Sequence, residues 1–248
     1  MFLPVVMAGY FICPARFRNI ILLASSLIFY AWGEPIYILI MLFSTVFDYI
    51  NGLLLERFEI RQKFRAHKAV IIISVVVNIG ILCFFKYTDF IITNINELTG
   101  SAIGLLQIAL PIGISFYTFQ TLSYTIDVYR GKVKAQHNIL DFATYISMFP
   151  QLIAGPIVRY SDVEKEIHSR TTNLTMVVQG TQRFLLGLGK KVLLANQIGA
   201  IWTEISSMGD LNTSLAWLGA LAYTFQIYFD FSGYSDMAVG LGKIMGFK

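Results

Sequence analysis

LAWLGALAYTFQIYFDFSGYSDMAVGLG, from Leu215 to Gly242, is the stretch on which the reading of the whole chain turns. Its first half is an apolar run of membrane grade. That run opens directly into a segment carrying Asp230, Ser232, Ser235 and Asp236 beside Gly233 and Gly240. A carboxylate at bilayer depth costs about 3 kcal/mol on insertion scales, so both acids must face protein, a cavity or headgroup water. On a continuous helix Tyr228, Ser232, Ser235 and Val239 share one face, while Asp230 stacks with Tyr234 on another. Gly233 is a candidate break in that helix. Two readings stay open: a polar wall inside a protein, or a helix end leaving the membrane with its acids in the headgroups.

Composition extends the membrane reading to all 248 residues. Mean hydropathy is +0.63, 56% of residues are hydrophobic and 14% are charged, against about a quarter charged in a soluble domain. The expected class is an all-α polytopic membrane protein forming a single transmembrane domain over residues 1–248. The net charge of +4 does not indicate nucleic acid, because the basic residues sit in short loops between apolar runs, the positive-inside pattern. Cys13 and Cys83 are isolated, without a CxxC or a histidine at ligand spacing, so neither a disulfide framework nor a metal site is expected. No cleavable signal peptide is evident, and the first segment is expected to stay in the mature protein.

Outward from the final stretch, the chain divides into a series of apolar segments. Phe2–Cys13 and Ile20–Trp32 are short, the second closed by Gly33, Glu34 and Pro35. Ile36–Leu55 is a full span with Asp48 and Asn51 near a far end that is wet or packed on protein. A basic linker, 56–68, precedes Ala69–Phe85, which carries Asn78. Phe90–Gln107 mixes polar and apolar residues without a clean period; it is assigned no span and is read as interfacial. Ile108–Ile126 contains Pro111, Gly113 and Gln120, which predicts a kinked helix lining something polar or glued by interhelical hydrogen bonds. Ile139–Ile153 ends in FPQLIAGPIVRYSD, where Pro150, Gly155 and Pro156 predict a broken or re-entrant turn. Met176–Leu194, carrying Arg183, and Val192–Trp202 complete a count of seven to nine crossings. With the N-terminus outside, one side collects 12 Lys and Arg, including Lys190 and Lys191, and the other collects Lys86, Arg159, Lys165 and Arg170.

Motifs of soluble enzymes are missing: there is no GxxxxGK[ST], GxSxG or HExxH. His67, His137 and His168 fall in predicted loops with charged neighbours, where a histidine is ordinarily solvated. Polar and helix-breaking residues inside four apolar segments suggest a central polar passage. A transporter or channel would suit that pattern as well, although no inverted repeat is visible.

FYAW at Phe29–Trp32, PIGISFYTFQTLSYTIDVYRG at Pro111–Gly131, FPQLIAGPIVRYSD at Phe149–Asp162 and YFDFSGYSDMAVGLG at Tyr228–Gly242 stand in order along the chain. Together they resemble the alginate O-acetylation branch of the membrane-bound O-acyltransferases, and more distantly the protein that passes D-alanine to teichoic acid. The resemblance implies a multi-helix funnel with broken or re-entrant helices. Through it an acyl group from a thioester donor, acetyl-CoA or an acyl carrier, reaches a polysaccharide hydroxyl by way of a periplasmic or extracellular acetyltransferase partner. It implies a multi-pass protein of the bacterial inner membrane, with substrates rather than a tightly bound cofactor. Gln120, Pro150, Gln151, Gly155, Pro156, Tyr228, Asp230, Ser232, Gly233, Tyr234 and Asp236 are the residues expected to line or shape the passage. Family members continue past GYSD into a segment rich in Trp and Arg that holds the catalytic histidine. No histidine here stands in a matching motif, so the resemblance places that residue beyond Lys248 and this chain in the first half of such a protein. A non-catalytic subunit or truncation product is the competing expectation.

Overall fold

A computed structural model describes residues 1–153 and 155–247. The described residues form helices and connecting segments without a strand, an all-α membrane protein. They divide into two compact units: Met1–Ile153 with Ile157–His168, and a second built chiefly from Ser169 onward.

The first unit holds α1 (Phe2–Ile12), α2 (Arg18–Gly33), α3 (Ile38–Ile60), α4 (Phe64–Thr99), α5 (Ile114–Tyr129), α6 (Ile139–Ser147), α7 (Phe149–Leu152) and α8 (Tyr160–His168). Its interior is aromatic and polar: Tyr10, Tyr117, Tyr124, Tyr145 and Tyr160 are among the largest fully buried side chains. The basic linker narrows to residues 61–63, because α3 and α4 extend into it from either side. α4 runs through the stretch read as interfacial to Thr99, where Gly100 adopts φ +68° and its N–H bonds back to the Asn96 carbonyl, a left-handed helix stop. α5 is not kinked by Pro111. The helix begins after it, at Ile114, preceded by Gly113 with φ +76°. A side chain at Gly113 would be strained by that backbone and would also meet the Leu152 carbonyl oxygen at 2.6 Å.

The break between α6 and α7 follows from Pro150. It has no N–H to give, and its ring would collide with the carbonyl four residues earlier if the helix continued. The chain kinks instead at Met148 (ψ 112°), and the freed Phe149 N–H bonds to the Ser26 hydroxyl at 3.0 Å. Asn138 caps the start of α6 through the Leu140 N–H. The segment beyond the break comes back to where α6 began. The Asn19 amide donates both to Asp141, in the first turn of α6, and to the carbonyl of Ile167, near the end of α8. Residues 139–168 therefore enter and leave the unit at one end. Lys165, two residues before Ile167, is thereby brought toward the start of α6 rather than to its far end.

The second unit consists of α9 (Leu174–Gly189), a π turn at Lys190–Ala195, α10 (Asn196–Ser206) and α11 (Thr213–Ile244). Asn173 and Asn212 cap α9 and α11. The two segments read separately as Met176–Leu194 and Val192–Trp202 are one continuous column, since the π turn joins α9 to α10 without a loop. α11 continues unbroken through Gly233, contrary to the expected break. A lone glycine weakens a helix by only about 1 kcal/mol, and here its missing side chain is what lets a second helix approach.

Three segments among the described residues are long and apolar enough to cross a membrane: Ile38–Ile60, Phe64–Thr99 and the column Leu174–Ser206. That is fewer than the seven to nine crossings expected. α1, α2 and α5 are shorter, and polar and aromatic residues keep α11 outside the set.

Candidate functional site

In the second unit α9 and α11 pack antiparallel through four glycines. A Cβ at Gly180 would lie 2.6 Å from the Gly240 carbonyl oxygen, and one at Gly187 would lie 2.5 Å from that of Gly233. Backbones this close bring the flanking side chains of the two helices into direct reach. The Arg183 Nε donates to Asp236 Oδ1 at 3.0 Å, and the Lys190 ammonium donates to Asp236 Oδ2 at 2.6 Å and to the Ser232 hydroxyl at 3.0 Å. Lys191 pairs with Asp230. Asp236 is the more enclosed carboxylate, its side chain 19% exposed against 48% for Asp230. Gly233 is buried and Tyr234 half-buried, whereas Tyr228 is 62% exposed.

Lys190 and Lys191, counted in the sequence with the basic residues of one membrane side, lie in the π turn, which presents both ammonium groups to α11. Both carboxylates are engaged by cations, so they act as hydrogen-bond acceptors. Three cations against two carboxylates leave the cluster with one unit of positive charge. Sequence reading singled out the acids but missed their partners. The available signal was the pair of Arg183 and Lys190 seven residues apart, matching the seven-residue interval of the glycines.

In the first unit, Gln120 and Gln151 converge on one atom. The α6 break leaves the Tyr145 carbonyl without a helical donor, and it accepts from the Gln120 amide at 2.9 Å and the Gln151 amide at 2.8 Å. The Tyr145 hydroxyl donates to the Val158 carbonyl at 2.9 Å, which ties the return limb to α6. Pro150, buried, sets the break that creates this site. Gly155 is buried and Pro156 half-buried, while Ala154, inside the expected turn, lies outside the described residues.

A second polar cluster, recorded in the sequence only as scattered residues, links α3, α4 and α5. Asp48 is fully buried and accepts from Ser74 Oγ (2.7 Å), Asn78 Nδ2 (2.8 Å) and Asn51 Nδ2 (3.4 Å), and Thr125 lies 3.4 Å from Ser74. Neutral donors satisfy this carboxyl, with no ion pair to it among the described residues. Such a cluster ties helices together in an apolar setting.

The histidines sit at the polar end where α6 begins and α8 ends. His137 meets Glu56 at 2.8 Å, and His168 lies 3.6 Å from Asp141 and 3.3 Å from the Gln136 amide. His67 and His168 are helical rather than in loops, and the His67 ring stacks on Tyr129 at 4.6 Å. Gln136 also donates to the Tyr160 hydroxyl, whose phenol burial holds above its ordinary pKa. No cluster of three or more His, Cys, Asp or Glu side chains suited to a metal occurs among the described residues.

Comparison with known proteins adds to this geometry. The model of MBOAT, the membrane-bound O-acyltransferase family, matches residues 132–248. The chain is 44% identical to a probable alginate O-acetylase of Pseudomonas aeruginosa over 252 residues, covering 100% of this chain and 48% of the relative. A peptidoglycan O-acetyltransferase of Helicobacter pylori is 35% identical over 285 residues, covering 100% of this chain and 53% of the relative. A teichoic acid D-alanyltransferase of Lacticaseibacillus rhamnosus is 26% identical over 205 residues, 77% of this chain and 47% of the relative. The chain thus spans about half the length of the curated relatives it matches.

Proposed function

Because the chain belongs to the membrane-bound O-acyltransferase family, we propose that it forms part of an enzyme that O-acetylates an exopolysaccharide of the alginate type. The acceptor hydroxyl oxygen attacks the carbonyl carbon of a thioester, acetyl-CoA or an acyl carrier. The thiolate leaves, and a base removes the hydroxyl proton. The observation that carries this reading is the likeness to an alginate O-acetylase along the whole chain, higher at 44% than the 35% to a peptidoglycan enzyme.

Within that reaction the side chains of the two clusters position and enclose. Asp230 and Asp236 are held by cations, and His67, His137 and His168 are engaged at a polar end, so the base is assigned to none of them. Gln120, Gln151 and Pro150 shape the hairpin 139–168, and the ladder of Arg183, Lys190 and Lys191 fixes α11. The protein is placed in the bacterial inner membrane with its N-terminus outside. The basic loops support that orientation more strongly once Lys165, beside the start of α6, joins their side. An extracytoplasmic partner would complete delivery to the polymer.

The test is complementation. The complete gene that contains the codons for these residues is introduced into a strain whose polysaccharide O-acetylase is deleted, and ester-linked acetate is measured on both exopolysaccharide and peptidoglycan. Acetate restored to the exopolysaccharide alone is the expected result. Acetate on peptidoglycan, or on neither polymer, would overturn the assignment.

A further inference from the structure

α4 outlasts the unit it belongs to. Its buried positions are Val70, Ile71, Ser74, Asn78 and Leu82, and none lies beyond them. Four more turns continue to Thr99. At 1.5 Å per residue the 36-residue helix is about 54 Å long, against about 30 Å of hydrocarbon and about 45 Å across the headgroup layers.

Beyond Thr99 the chain folds back along those turns. Asn96 holds Ile103 by both backbone groups, accepting from its N–H at 2.9 Å and donating to its carbonyl at 2.8 Å. Asp89 accepts from the N–H groups of Leu106 (2.9 Å) and Gln107 (3.0 Å), and the Tyr30 hydroxyl donates to the Ile112 carbonyl at 2.9 Å. Thr93, Asn94 and Thr99 each donate to the carbonyl four residues earlier, so these polar side chains of the extension engage its own backbone, while Glu97 is exposed. Beside the exposed Lys86, Glu97 and Gln107, the outer surface carries a run of apolar side chains. Ile103, Leu105 and Leu106 of the return segment are each about half exposed or more.

The outer side of α4 identifies what covers this surface. Val76, Phe84, Tyr87, Ile91, Ile95 and Leu98 are all exposed, and from Phe84 onward they recur every three or four residues, one face of a helix. Val76 and Phe84 belong to the apolar span, where the face opposite the protein meets lipid. The same stripe passes without interruption into the extension.

We propose that the hairpin formed by the last turns of α4 and residues 101–112 embeds in the interfacial layer of the bilayer, with lipid as its occupant. A tilt of about 34° brings 54 Å within the 45 Å between headgroup surfaces, inside the observed range for spanning helices. Lys86, its ammonium 5.5 Å from the Tyr87 ring, stands where the helix leaves the hydrocarbon and reaches headgroups by snorkelling. Bracketing by Asp89 and Asn96 is what makes the loop compatible with lipid, since it occupies backbone groups that would otherwise lose their water.

The test uses the full chain with Cys13 and Cys83 replaced by serine, reconstituted in vesicles of phosphatidylethanolamine and phosphatidylglycerol. A bimane probe is attached at Val76→Cys, Leu98→Cys or Leu106→Cys. Lipids spin-labelled near the headgroup should quench probes at 98 and 106 several-fold more than aqueous iodide does, while deeply labelled lipid quenches the probe at 76. In the Asp89→Ala background, quenching by shallow lipid should fall at 106 and persist at 98. Iodide quenching at 98 and 106 like that of free probe would overturn the proposal, and so would protection from both quenchers, which would mean a protein partner covers the hairpin.

Discussion

Gly187 and Gly233 face each other across the α9–α11 seam so closely that each would place a Cβ within 3 Å of the other's carbonyl oxygen, 2.5 Å and 2.8 Å. Neither helix can move aside without breaking the ion pairs on either side of the contact. Gly187→Ala and Gly233→Ala are each expected to cost about 1 to 3 kcal/mol, the range for overpacking. Gly189→Ala, where a Cβ meets nothing within 4 Å, should be neutral. Thermal stability of the detergent-solubilised protein, followed by fluorescence-detected gel filtration, separates the two outcomes; equal melting temperatures for all three variants would contradict the packing described.

Lys191 and Asp230 should behave as a matched pair. Lys191→Asp or Asp230→Lys alone places like charges together at partly exposed positions, and a loss of about 1 kcal/mol is expected. The double exchange restores opposite charge and should recover most of it. A double variant no more stable than the worse single would show that the pair does not hold α11.

The Tyr145 carbonyl has two donors, so the effects of removing them should not add. Gln120→Leu or Gln151→Leu leaves one hydrogen bond and is expected to cost under about 1 kcal/mol. Removing both strands a buried acceptor, with a cost of about 1 to 3 kcal/mol beyond the sum of the singles. A double-mutant cycle measured by thermal unfolding reads the difference directly.

Asp48 is held by donors that need an acceptor rather than a charge. Asp48→Asn keeps one acceptor oxygen, for the Asn78 amide, while its own NH2 can donate to a rotated Ser74 hydroxyl, and it should remain folded with a modest loss. Asp48→Ala leaves both donors unsatisfied in a buried site and is expected to lose about 2 to 4 kcal/mol. Yield of monodisperse protein from membranes, compared across the two variants, checks the order.

Residues 62 and 165 should report the same side of the membrane, because α8 returns to the end at which α6 enters. Cysteines at Gln62 and Lys165 are both expected to resist an impermeant thiol reagent in intact cells and to react in inverted vesicles. Labelling at one position but not the other would break the hairpin topology of residues 139–168.

How much of this was legible in the sequence depended on whether the cause was local. The break at Met148 could be anticipated from Pro150, since a missing N–H acts within one turn. The boundaries of α2 and α3 near Gly33 and Pro35 are local in the same way. α4 was harder to read because Thr93 and Asn94, which look like residues that end a span, satisfy themselves on their own helix. The partners of Asp230 and Asp236 were not legible. Lys191 lies 39 residues from Asp230 and Arg183 lies 53 from Asp236, and only the packing of two glycine faces joins them. Nor does any residue at 190–195 announce a π turn.

That π turn sets the rotational phase of α10. From Gly187 to Gly199 is twelve residues, which on an unbroken α-helix would leave Gly199 about 120° out of line with the face that meets α11. A π bulge acts as one inserted residue, about 100° of rotation in the opposite sense. The two nearly cancel, so Gly199 comes back against Gln226, where a Cβ would stand 2.8 Å from its amide nitrogen. The phase of α10 is therefore set by the number of residues between 190 and 195, separately from the ion pairs that Lys190 and Lys191 make. Deleting a single residue there would let the bulge close into regular α-helix with α10 still in phase, whereas adding one would turn all of α10 by about 100° away from its partner.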